Sequence, residues 1–243
     1  MKSNSLPTSD AVRTSAAPLL ASAVLTLALW RVPFGELVLY PCTILATWFH
    51  EMGHGLTALL LGGDFHSLVL LPNGSGIAQH SGVRFGRLGA ALVAAGGPLG
   101  PAIAGALFIT AARYANWGKA GLRILGALLL ISAFVWIDGA FGKAIGVGLG
   151  LLMIAFSQRA TPDACCFAQQ FLGVQACLST WRQLDYLFTR DATIGGRAMP
   201  SDSQVIAQSL LLPYWFWGGL LAVATIGLLG LSLSGGKAKA KRR

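Results

Sequence analysis

Seven apolar runs, at 15–31, 37–61, 87–112, 120–137, 140–157, 164–180 and 208–232, follow one another along a chain of 243 residues. About 20 apolar residues of helix cross a bilayer core. Inside that core each backbone amide must find a partner within its own segment, so such runs adopt helices. Only 11% of the residues are charged, against about 25% in soluble domains. The chain therefore reads as an all-α polytopic membrane protein with six or seven transmembrane helices, one integral membrane domain over 1–243 held in the lipid bilayer. The number depends on the fourth and fifth runs, which are joined so tightly around Asp138 to Lys143 that they could form one broken or re-entrant unit.

The formal net charge is +9, but the basic residues are scattered between apolar runs, which argues against a nucleic-acid partner. The exception is the tail over 236–243, which ends "KAKAKRR". Beside a span, such a tail meets anionic head groups, and the excess of basic residues expected on the inner face puts it in the cytoplasm. The four cysteines form no C-x-x-C pair and read as packing residues. The N-terminus has a basic start and an apolar core like a signal peptide, but its polar lead is long and no clear cleavage site follows, so a retained first span is expected.

Two polar stretches interrupt the spans. Residues 62–86 alternate around Asn73-Gly74 and predict a β-hairpin. Gly76 would let another chain come close. A strand edge at 66–71 or 77–80 could pair with an extended peptide, or the hairpin could simply shield its neighbours from lipid. Residues 181–207 read as a mixed loop without periodicity. Neither stretch, at about 25 residues, is long enough for a separate substrate-selecting domain.

The second run contains "ATWFHEMGHGL", with His50, Glu51 and His54 inside an apolar helix. Ionisable groups cost a few kcal/mol each at that depth and mark functional sites. H-E-x-x-H puts two imidazoles at i and i+4 on one helical face, where they can grip one Zn²⁺, with the glutamate placed as general base. Zinc lowers the pKa of water to about 7, and Glu51 would take its proton and later pass it to the departing amine. Hydrogen bonding of the histidines to neighbouring helices is the plainer alternative. His66 and His80 flank the hairpin and read as exposed strand residues rather than ligands.

"TWFHEMGHGLTALLLGG", "LPNGSG" and "AAGGPLGPAIAG" together resemble peptidase family M50, the site-2 protease group of intramembrane zinc metalloproteases, and within it the M50B-like subgroup. The resemblance covers roughly residues 36 to 215. It implies that His50 and His54 are zinc ligands, that Glu51 is the catalytic acid and base, and that the substrate is a membrane protein or peptide cut within or beside the bilayer. In "GGPLGP" the polar Asn of the family's helix is replaced by Gly100 or Pro101. Gly96, Gly97 and Gly100 read as small residues that let 87–112 approach the metal-binding helix 37–61 closely.

A catalytic zinc takes three protein ligands, and the resemblance supplies the third as a later aspartate. Asp138, in "WIDGAFG", matches the family's L-D-G without its lead-in. Asp185, in "STWRQLDYLF", matches a position where the subgroup carries an aspartate. The two share the assignment evenly, and Asp202 or no carboxylate takes the remainder. Two other readings stand beside the protease: a non-catalytic zinc-binding scaffold or chaperone of the same fold, and a small-solute or metal transporter. The ligand–base–ligand order and the strand-like insert favour the protease.

Overall fold

The computed structural model describes residues 17–182 and 184–234. The N-terminal lead and the basic tail lie outside these residues, as does the cytoplasmic placement expected for that tail. Each of the seven apolar runs contains a helix: α1 (Ala17–Leu29), α2 (Gly35–Leu60), α3 (Gly86–Ala111), α4 (Ala115–Val135), α5 (Ala140–Arg159), α6 (Pro162–Arg182) and, after two short helices and a hairpin, α9 (Tyr214–Ser234). Among the described residues four of them are long and apolar enough to cross a bilayer, namely α3, α4 from Trp117, α5 and α9. The six or seven spans expected are thus not all matched among the described residues, where α1 covers 13 residues, α2 carries the charged motif, and α6 carries Gln169, Gln170 and Gln175. Large apolar side chains such as Leu151, Leu152, Val223 and Ile226 stand exposed on α5 and α9, as expected of faces that meet lipid.

The hairpin forms as β1 (Asp64–Leu70) and β2 (Gly76–Ser81), antiparallel, with an irregularity between Phe65 and Ser67. Its turn is longer than a two-residue Asn-Gly turn. Leu71 donates to the Ser75 carbonyl at 2.9 Å, Gly74 donates to Leu71 at 3.0 Å, and the Asn73 carboxamide oxygen accepts from the Ser75 amide and hydroxyl. The hairpin folds back along α2. Phe65 fills the space beside Gly55, Thr47 donates to the Gly74 carbonyl at 2.5 Å, and Tyr40 donates to the Pro72 carbonyl at 2.6 Å. From Gly55 to Tyr40 is ~22 Å of helix, so the strands lie at the depth of the motif.

A third strand is a correction to the all-α reading. β3 (Ile137–Asp138) pairs parallel with Leu68 and Val69 of β1, giving the order β2-β1-β3. It therefore covers the 66–71 edge and leaves the outer edge of β2 without a strand partner among the described residues. β3 also separates α4 from α5, which pack as two distinct helices whose backbones meet at Gly126 and Gly150. Leu68, Leu122, Leu125, Leu129 and Trp48 form the main core with Ile137, and the Trp48 indole donates to the Ser132 hydroxyl at 2.9 Å.

The 181–207 stretch is ordered rather than irregular. It contains α7 (Leu184–Leu187), the hairpin β4 (Asp191–Ile194) and β5 (Arg197–Pro200), and α8 (Asp202–Ser209). Gly195 and Gly196 both take positive φ, 58° and 79°, as a two-residue hairpin turn requires. Leu187, fully buried, and Ile206 lock this unit against Ala91 and Ala94 of α3 and Leu221 of α9.

Candidate metal centre

α2 and α3 meet where neither has a side chain in the way. A Cβ on Gly53 would stand 2.2 Å from the Gly96 carbonyl oxygen, and one on Gly100 would stand 2.3 Å from that of Phe49. The expectation that these glycines allow close approach is met. Gly97 does more than pack: a Cβ there would lie 2.2 Å from His54 Nε2 and 2.7 Å from His50 Nε2. Its bare Cα leaves a small space in front of both nitrogens.

His50 and His54 lie one turn apart on α2, edge to face, with ring centroids 4.9 Å apart. His54 Nδ1 lies 2.8 Å from the Val93 carbonyl oxygen, which can only accept. The ring proton is therefore on Nδ1 and the lone pair on Nε2, the arrangement that prepares a histidine to ligate. The carboxylate facing both imidazoles is that of Asp202. Its Oδ2 is 3.1 Å from His50 Nε2 and its Oδ1 is 3.3 Å from His54 Nε2. His50 and Asp202 are buried, each 7% exposed, and the His54 side chain is 13% exposed.

The group fits zinc. Two N or O ligands at about 2.1 Å from one ion and at the tetrahedral angle stand about 3.4 Å apart, close to both separations. The three ligand atoms lie within 4.8 Å of one another, and among the described residues this is the one such group of histidine, cysteine and acidic side chains.

Neither aspartate favoured from the sequence stands there. Asp138 is exposed in β3, pairs with Val69 through its backbone, and accepts from the Gly139 amide at 2.8 Å. Asp185 is exposed in α7, while its neighbour Tyr186 is the residue that turns inward. The carboxylate beside the imidazoles comes instead from the first turn of α8. Ser201 caps that helix, accepting from the Gln204 amide at 3.2 Å. The pattern was present in "PSDSQ", a serine followed three residues later by glutamine, and "TIGGRA" carried the hairpin signal ahead of it.

A cavity of about 520 Å³ opens on this group, walled by α2 and α3, the outer side of β2, the β4–β5 hairpin and α8. Glu51, 6% exposed, lines it together with the two histidines. Its carboxylate lies against β2. A Cβ on Gly76 would stand 2.7 Å from Glu51 Cγ and 2.9 Å from Oε1, and the Ala78 amide faces the carboxylate. Gly76 thus makes room for the Glu51 side chain rather than for another backbone.

His80, exposed near the end of β2 as expected, reaches the cavity wall, where partial burial and then the nearby His54 and His66 hold it below its ordinary value. His66 points elsewhere, its Nε2 2.7 Å from the Ser81 hydroxyl. Burial pushes the Tyr186 phenol, also in the cavity wall, above its usual range.

A family model described as Peptidase M50B-like matches residues 19–232. No curated protein and no solved structure matches the chain significantly.

Proposed function

Because the chain belongs to the peptidase M50B-like family, we propose that it is an intramembrane zinc endopeptidase that hydrolyses peptide bonds of membrane-associated protein substrates. His50, His54 and Asp202 hold the metal, and Glu51 is the general base. The observation that carries this reading is the convergence of those three side chains with Glu51 on one cavity within the helical body.

Zinc bound there supplies a Lewis acid that acidifies water at neutral pH. Glu51 accepts a proton from the water that attacks the scissile carbonyl carbon. It returns that proton to the amine nitrogen as the C–N bond breaks, so one water is consumed and the carboxylate is restored. Asp202 spans both imidazoles with its two oxygens and keeps their Nε2 atoms turned to a common point. The backbone fold of α2 against α3 at Gly53, Gly96 and Gly100 keeps lipid from entering behind the rings.

A peptide bond inside a helix has its carbonyl already hydrogen-bonded, so the substrate must be held extended. The outer edge of β2 can receive it as an added strand, with Ile77, Ala78 and His80 on one side and Ile194 and Met199 of the second hairpin on the other.

The test is zinc content and cleavage of a panel of single-span peptides, measured on the full chain in detergent. About one zinc per chain is expected for the wild type and for Glu51→Gln, and none for the His50→Ala/His54→Ala variant. Cleavage by Glu51→Gln should fall at least ~100-fold. A wild type without zinc after metal loading, or a Glu51→Gln variant that cleaves normally, overturns the assignment.

A further inference from the structure

Three consecutive residues stitch α8 to the segment before β4. Ser201 donates to the Thr189 carbonyl at 2.6 Å, Ser203 donates to the Leu187 carbonyl at 2.6 Å, and the Asp202 amide donates to the Tyr186 hydroxyl at 3.2 Å. The serine bonds are backbone ties. Tyr186 differs because its partner is the amide of Asp202 itself, the residue whose two carboxylate oxygens face both imidazoles. Its ring lies edge-on to His50, with centroids 6.3 Å apart, and lines the metal cavity. Leu187, with no exposed surface, fixes the base of that ring in the core. Its carbonyl oxygen is packed so tightly on α9 that a Cβ on Gly218 would stand 2.3 Å away.

A carboxylate on a short side chain has two torsions free. One imidazole meets each oxygen, and the phenol meets the backbone amide of the same residue. We propose that Tyr186 is the positioning residue for the third ligand: its hydroxyl, accepting from the Asp202 amide, fixes the first turn of α8 so that the Asp202 carboxylate stays turned to His50 and His54. The inference rests on the metal reading given above. It assigns to Tyr186 no contact with substrate or reacting atoms. Outer partners of this kind are typically worth about 10- to 100-fold in metal affinity.

The test uses the full chain in detergent with Co²⁺ and Zn²⁺ as probes. Affinity is read by chelator competition and ligand geometry by the visible absorption of the Co²⁺ protein. Tyr186→Phe removes one oxygen and is expected to weaken both metals about 10-fold or more and to shift the Co²⁺ spectrum. Ser203→Ala, which loosens the same junction without touching the carboxylate, should leave the spectrum as in the wild type. In a Asp202→Ala background, Tyr186→Phe should have no further effect on affinity. Should Tyr186→Phe fail to fold, 3,5-difluorotyrosine placed at position 186 keeps the ring and weakens its hydroxyl as an acceptor, and wild-type affinity and spectrum there overturn the proposal.

A Tyr186→Phe variant with wild-type affinity and spectrum overturns the proposal, whether or not its turnover changes. A change in turnover alone would place the phenol on the substrate instead. Equal spectral shifts in Ser203→Ala overturn it too, since the effect is then general loosening. A wild type that binds neither metal overturns the metal reading itself, and this inference with it.

Discussion

Gly97→Ala adds one methyl group at the point where α3 passes the two imidazoles. The new carbon would stand 2.2 Å from His54 Nε2, 2.3 Å from its Cε1 and 2.7 Å from His50 Nε2. Ordinary contact begins near 3.4 Å, so the His54 ring must retreat by roughly 1 Å, whereas a metal bond tolerates about 0.2 Å. The ring cannot retreat freely. Its Nδ1 is tied to the Val93 carbonyl, and the α2 backbone behind it touches α3 at Gly53. The metal should therefore lose a ligand, or the helices should part. We expect zinc affinity to fall at least ~100-fold, about 2.7 kcal/mol, at the upper end of what outer partners are worth. The metal-free protein should lose only about 1–3 kcal/mol from overpacking. Chelator competition measures the first quantity and thermal unfolding of the metal-free protein the second. Gly148→Ala, where an added Cβ meets nothing within 4 Å, is the control and should match the wild type in both. Zinc affinity within twofold of wild type in a folded Gly97→Ala protein would refute the reasoning, because the space in front of the nitrogens would then not be where the metal sits.

Other substitutions probe the remaining parts of the site. Asp202→Asn should lower zinc occupancy, while Asp138→Asn and Asp185→Asn should leave it unchanged in metal analysis of purified protein; loss in either of the latter would restore the sequence-based ligand. Gly76→Val should keep zinc but slow peptide cleavage at least ~10-fold, since its Cβ would displace Glu51 Cγ from 2.7 Å and the base must stand within hydrogen-bond reach of its proton. Gly150→Val should lower the unfolding temperature in detergent by crowding the Gly126 carbonyl at 2.9 Å, a cost of about 1–3 kcal/mol. Zinc affinity should be unchanged there, because α5 contributes nothing to the cavity wall.

The helices were legible because apolar runs of this length have one low-energy form in lipid; each of the seven runs contains a helix, although the last begins at Tyr214 rather than 208, its first residues belonging to α8 and a link. The His50, Glu51 and His54 group was legible for the same local reason: i and i+4 share a face whatever surrounds the helix. The β1–β2 hairpin followed from its alternation. Its partner β3 did not, because two residues, Ile137 and Asp138, carry no period, and they pair only once α4 has brought them beside β1. That pairing is also what removed Asp138 from contention, by committing its backbone to Val69 and its carboxylate to Gly139.

In the 181–207 stretch the local signals were present, in the two glycines of the β4–β5 turn and in Ser201 and Gln204 around the start of α8. They could define a turn and a helix start but not what these would face. The sequence by itself determined a helical membrane protein with two imidazoles and a carboxylate on one face of α2, since spacing along a single helix carries that information. Only the tertiary structure decided that Asp202 stands opposite them, that Gly97 leaves the space between, and that Glu51 rests on β2. Each of these depends on contacts between segments far apart in the chain, set by how α3 packs in glycine-lined contact with α2 and by how Leu187 and Ile206 seat α8 on α3.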